Sequence, residues 1–320
     1  LTLCGLQAIL PHNTLKDTSM KRLTFLLITI MVLLLLTGCA KDEPVASLKV
    51  GMMPAVDSAP FYYAASAGLF EKFDVEVELV LFTSGQTRQT ALQTGQVDGS
   101  MTDLVALVTN SAGEIGLKGT LSTDGLFPLL AASGYEGRER LRAGLMEISV
   151  TNYLLDAYLA GDYDLEKIFI NEIPTRLEAL LAGNLDIGIF PEPFASIGAR
   201  RGLEKVLFPG IPEESLNIIA FSDAALKEKE RAIQRFHKAY AQAVSDIAEE
   251  PQRAVDALLA SIPNLPPDIG SEIAMPAYQA PGLPDDGFIA EIIAWTENLT
   301  GRQYDLDPDD IIDRSFTAEL

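Results

Sequence analysis

Three carboxylates, Asp57, Asp103 and Glu192, each stand where an apolar run of this 320-residue chain gives way to a loop. No lysine or arginine stands in the same loops. Such groups accept hydrogen bonds from donors and cations, and leave only backbone N–H groups for an anion. Nucleophilic and redox chemistry has little to work with, because the cysteines are Cys4 and Cys39 and the histidines His12 and His237. His237 lies in RAIQRFHKAYAQAV, a helical pattern in which a histidine packs or faces solvent. There is no histidine or cysteine cluster for a metal, and the acidic run 305–310 lacks the glycine of a calcium loop.

The elements that must position the loops come as a repeat. TRQTALQTGQVDGS at 87–100 is echoed by TRLEALLAGNLDIG at 175–188, with Thr-Arg-x-x-Ala-Leu-x-x-Gly-x-x-Asp in common. Each copy predicts a short helix with an inward Ala-Leu pair, a left-handed glycine (Gly95, Gly183) that ends it, and a buried strand. That is the αβ half of a βαβ unit, so the chain should form two α/β lobes. Open α/β sheets bind ligands beyond the C-terminal ends of their strands, where helix N-termini converge. Thr102 and Asp103 should therefore face Pro191 and Glu192 across one cleft, while Asp98 and Asp186 fix their own turns.

The first 47 residues read differently. Met20-Lys21-Arg22 and the apolar run 23–36 form a secretory signal, too short for the roughly 20 residues of a membrane span. The run ends in Leu36-Thr37-Gly38-Cys39, which resembles a bacterial lipobox with Cys39 as the lipidated residue. The expected parts are an over-extended start at 1–19, a lipoprotein signal peptide at 20–38 and a lipidated tether to the membrane at 39–47. Net charge is −21; losing Lys16, Lys21, Arg22 and Asp17 with the leader makes it −23. Such a surface repels phosphate backbones and excludes nucleic acid as a partner. The mature chain is expected to be a monomer without disulfides.

The rest reads as strand 48–53, a loop to Pro60 in the first turn of a helix, strand 75–82, and the loop Thr83-Ser84-Gly85 into the first repeat. Thr102 should cap a helix over 103–110, and Thr151-Asn152 one over 153–160. Beyond Asp223 the pattern is helical, broken by a proline-rich connector at 262–284. Crossings near Ala132 and Asn217 divide the chain into lobe 1 (48–132 and 217–320) and lobe 2 (133–216).

Taken in order, the lipobox, GMMPAVDSAPFYYAASAGLF, the Thr83-Ser84-Gly85 loop, the ALxxGxxD turns and PEPFASIGARRGL (191–203) resemble solute-binding proteins of bacterial ABC transporters. The similarity runs from residue 48 to 320 and is to the thiamine-pyrimidine, alkanesulfonate, taurine and nitrate group. It implies an α/β, two-lobed type II periplasmic-binding fold with a two-strand hinge and a helical C-terminal region. It also implies closure over a small molecule, delivery to an ABC permease, no catalysis and no cofactor. Carried over, the ligand contacts are Asp57 and Ser58, Ser84 and Gly85, Thr102 and Asp103, Thr151 and Asn152, with Glu192 opposite. Phe61, Tyr62 and Tyr153 are available to stack on a ring. With acceptors in these loops and no cation, the expected ligand is donor-rich, such as a pyrimidine or another nitrogen heterocycle. Two other readings share the fold. An enzyme of the pyrimidine synthase or chorismate dehydratase type meets the lack of a cysteine motif and the export signal; a sensory lipoprotein would use the same closure.

Overall fold

A computed structural model describes residues 46–113, 116–208 and 214–318. The expected start, signal peptide and lipidation site at Cys39 lie outside the described residues. So does all of the tether but its last two residues, Ala46 and Ser47, which belong to the first strand.

Two five-stranded sheets carry the fold. In the first, β1 (Ala46–Met52) lies parallel between β2 (Val75–Leu81) and β3 (Gly99–Asp103). Strand β10 (Asn217–Ser222) runs antiparallel between β3 and β4 (Leu117–Thr123). The second sheet repeats the plan. Here β6 (Arg140–Leu145) lies parallel between β7 (Asp164–Phe169) and β8 (Ile187–Ile189), and β5 (Leu129–Ala131) runs antiparallel between β8 and β9 (Glu204–Val206). In chain order β1–β4 and β10 build the first sheet and β5–β9 the second, so the chain passes between the sheets twice.

This exchange corrects one boundary. Residues up to Ala132 were expected in the first lobe, yet 129–131 hydrogen-bond to β8 and β9 in the second sheet. The run Phe127–Ala132 reads as a strand in either place, and only pairing decides which sheet takes it.

The repeat folds as its pattern predicts. Helices Gly85–Gln93 and Ile173–Leu181 end at Gly95 (φ 68°) and Gly183 (φ 75°), each leading into a strand. Asp98 accepts from Lys49 N and Lys229 Nζ, both at 2.8 Å, and Asp186 binds Arg138 and Arg142, so both brace their own lobes.

Strand β1 buries Leu48, Val50 and Met52 in one core with helix Glu230–Glu249, which packs against both β1 and helix Ala59–Ser66. Helix Glu230–Glu249 presents Ile233, Phe236, Tyr240 and Val244 at helical spacing, a stripe that each large residue stabilises by about 1.5–3 kcal/mol. Helix Leu104–Ser111 packs against helix Asp286–Thr300 of the same lobe and helix Val150–Leu159 of the other. No helix among the described residues is long and apolar enough to cross a membrane.

Candidate functional site

The two lobes meet at their strand ends and are joined by direct bonds. Ser84 and Glu172 form a β-bridge, Val56 N donates to Glu192 O at 3.0 Å, and Val150 N donates to Asp103 Oδ1 at 3.2 Å. Between them lies a cavity of about 50 Å³, room for a few water-sized groups. Its wall includes Thr102, Asp103 and Thr151 of the expected residues, with Ser149, Asn217 and the apolar Met53, Met101, Phe127, Met146 and Ile173.

Two arginines complete the wall, against the expectation that no cation would face the cleft. Arg88 and Arg176 are the arginines of the repeated Thr-Arg-x-x-Ala-Leu, and both are buried. Arg88 Nη2 donates to Thr102 Oγ1 at 3.0 Å, while its Nε has no partner among the described residues. Arg176 Nη1 donates to Ile170 O at 2.6 Å, and its guanidinium carbon lies 5.0 Å from the Phe190 ring centre. Its Nε and Nη2 have no partner among the described residues. Burial pulls the Arg176 guanidinium down to about 10, against the charge of Glu172, so it remains cationic at neutral pH. Burial also lowers Arg88, opposed by Asp103 and Asp57. The signal for these arginines was in the repeat: Arg88, Ala91 and Leu92 stand at i, i+3 and i+4, one face of a helix.

Asp103 does two jobs. It is the N-cap of helix Leu104–Ser111, where Oδ1 accepts from Ala106 N at 2.9 Å, and the same oxygen takes Val150 N from the second lobe. Burial pushes its carboxyl above the ordinary aspartate value, opposed by Arg88 and these bonds. Thr102 was expected as that cap, and Thr151-Asn152 as the cap of the next helix; Asp103 and Ser149 hold those positions instead, because their side chains accept from free N–H groups of the first turn, Ala106 N and Thr151 N.

Several expected contacts lie elsewhere. Asp57 sits behind the wall, where Oδ2 accepts from Asn217 Nδ2 at 2.6 Å and Thr123 Oγ1 at 3.3 Å; it ties the loop after β1 to the ends of β4 and β10. Burial raises its carboxyl. Ser58 Oγ donates to Met53 O at 2.7 Å. Phe61 is core, stacked on Phe236 at 5.2 Å, and Tyr62 is buried in the same cluster. Ser84 and Gly85 are buried at the junction of the lobes, where a Cβ on Gly85 would lie 2.4 Å from Met146 Cε. Asn152 joins Lys167 and Glu147 O within the second lobe. Tyr153 donates to Glu291 Oε1 at 2.6 Å and meets Trp295 edge-on at 5.5 Å, so it holds the lobes together rather than facing the cavity. Glu192 turns inward to Lys205 Nζ (2.9 Å) and Ser196 N (3.0 Å), because a buried carboxylate needs a cation and donors more than an open cleft provides.

Among the described residues no cluster of histidine, cysteine or carboxylate could hold a metal. The acidic run is a helix cap, with Asp307 N donating to Asp310 Oδ2.

The model of the NMT1-like family matches residues 41–261, more than half of the chain. No curated protein matches it. Among solved structures, the ligand-binding component of an ABC-type import system from Staphylococcus aureus, with zinc bound, superposes with a TM-score of 0.71 at 16% identity, over 85% of this chain and 98% of that one. The periplasmic aliphatic sulphonate-binding protein SsuA from Escherichia coli gives 0.62 at 16% identity, over 80% and 90%. The periplasmic nitrate-binding protein NrtA from Synechocystis gives 0.58 at 14% identity, over 67% and 66%. All three share its fold.

Proposed function

This chain belongs to the NMT1-like family, and on that premise we propose that it is an extracytoplasmic solute-binding protein whose two lobes close on a small anion and deliver it to an ABC permease. One observation carries the ligand class: two buried guanidinium groups, one from each lobe, reach the same cavity with donor atoms left unpaired. A buried cation without a partner is costly, and a carboxylate, sulfonate or nitrate supplies the charge and the acceptors together. The same observation favours an anion over the nitrogen heterocycle suggested by the loop carboxylates. Sulfonate and nitrate are what two proteins of similar fold are named for, which agrees with this choice.

In this reading the protein is lipidated at Cys39, acts as a monomer and leaves its ligand unchanged. Against an enzyme of the same fold, His237 packs against Phe221, Phe236 and Phe316, away from the cavity wall.

The test is native mass spectrometry of the purified protein followed by thermal shifts with nitrate, formate, alkanesulfonates, carboxylates, pyrimidines and amines. A matching anion should stabilise the protein by about 3–4 kcal/mol at roughly 100 to 1,000 times its dissociation constant. Stabilisation by pyrimidines or amines alone would overturn the anion reading, and turnover of a bound compound would overturn the transport reading.

A further inference from the structure

We propose that Asp103 restricts the solute to a single negative charge; the inference rests on the anion reading above and adds a specificity residue to it. The ionisable side chains in the cavity wall are two cations, Arg88 and Arg176, and one carboxylate, Asp103. Asp103 cannot turn away from the cavity, because one oxygen holds Ala106 N at 2.9 Å and Val150 N at 3.2 Å, the first turns of a helix from each lobe. The free N–H groups of these helices, which would otherwise attract a second negative charge, are thus partly spent on Asp103.

The remaining neighbours push the same way. Asp57, behind Asn217, can only add negative charge, and it interacts electrostatically with Arg88. Glu172, which interacts with Arg176, is exposed to solvent and screened by it. The wall therefore offers a solute at most one uncompensated positive charge. A monoanion balances it, whereas a dianion leaves a like-charge contact in a cavity too small to keep hydrating water.

Methanesulfonate and sulfate are tetrahedral and close in size but differ by one charge, so comparing them separates charge from fit. Calorimetry on the full mature chain should give methanesulfonate an affinity about 100-fold or more above that of sulfate. In Asp103→Asn, which keeps a capping acceptor, the ratio should shrink by about tenfold or more. Asp103→Ser, also a competent cap, serves if the asparagine variant folds poorly. Equal binding of the two ions by the parent protein, or an unchanged ratio in a folded variant, would overturn the charge limit and leave the anion reading intact. Binding of neither methanesulfonate, nitrate, formate nor sulfate would overturn both.

Discussion

Arg88 and Arg176 hold the same place in the two copies of Thr-Arg-x-x-Ala-Leu, one on each lobe, and both guanidinium groups line one cavity. The repeat is thus more than shared α/β grammar. It sets matching cations on facing walls, each at the start of a helix that leads by a left-handed glycine into the sheet.

These arginines should act oppositely on stability and on binding. Arg176→Met removes a buried charge with unpaired donors, so the ligand-free protein should be as stable as the parent or about 1–4 kcal/mol more stable in urea unfolding. Anion binding measured by calorimetry should weaken by about 2–5 kcal/mol. A variant that unfolds more readily and binds normally would make Arg176 a structural residue.

The Glu192–Lys205 pair should behave as buried structure. Lys205→Met leaves the Glu192 carboxylate without its cation and should cost about 3–5 kcal/mol of stability. Adding Glu192→Gln should recover much of that loss, with ligand affinity unchanged in the double variant. Loss of binding in the folded double variant would bring Glu192 back to the site.

Trp295 is the sole tryptophan of the chain and touches Tyr153 of the opposite lobe, so its fluorescence should report closure. Saturating anion should change the emission of the parent protein, and Tyr153→Ala should abolish most of that change. Emission indifferent to ligand in a protein shown by calorimetry to bind would mean that these two helices stay together when the cleft opens.

His237 makes stability fall on the acid side. Burial depresses its imidazole to about 3. The unfolded ring takes its proton near the ordinary value of about 6.5. Between these values unfolding binds a proton, so the contribution is complete above about pH 6.5 and is lost as pH falls towards 3. Urea unfolding across that window should show the decline, and the native His237 resonances should remain those of a neutral ring down to about pH 4. A native ring titrating near 6.5 would contradict its burial.

Local chemistry made much of the fold legible. Gly95 and Gly183 end helices in the left-handed region because they alone relieve the Cβ clash there, and the Ala-Leu pairs and buried strands follow from periodicity. The two-lobed plan and the approach of Thr102 and Asp103 to the space between the lobes could be reasoned from that, whereas only the family resemblance places Thr151 there. The directions of the other side chains could not be reasoned in this way. The pattern puts Arg88 and Arg176 on the Ala-Leu face, but only docking of the lobes encloses their charged ends in one cavity; the family resemblance offers Phe61, Tyr153 and Glu192 to a ligand, whereas Phe236, Trp295 and Lys205 claim them first. Sheet membership of residues 129–131 was likewise open, because a three-residue apolar strand fits either sheet until its partners are present. Period and turn type are properties of neighbouring residues and belong to the sequence; which groups end up sharing a desolvated cavity depends on contacts between distant segments, which only the folded chain brings together.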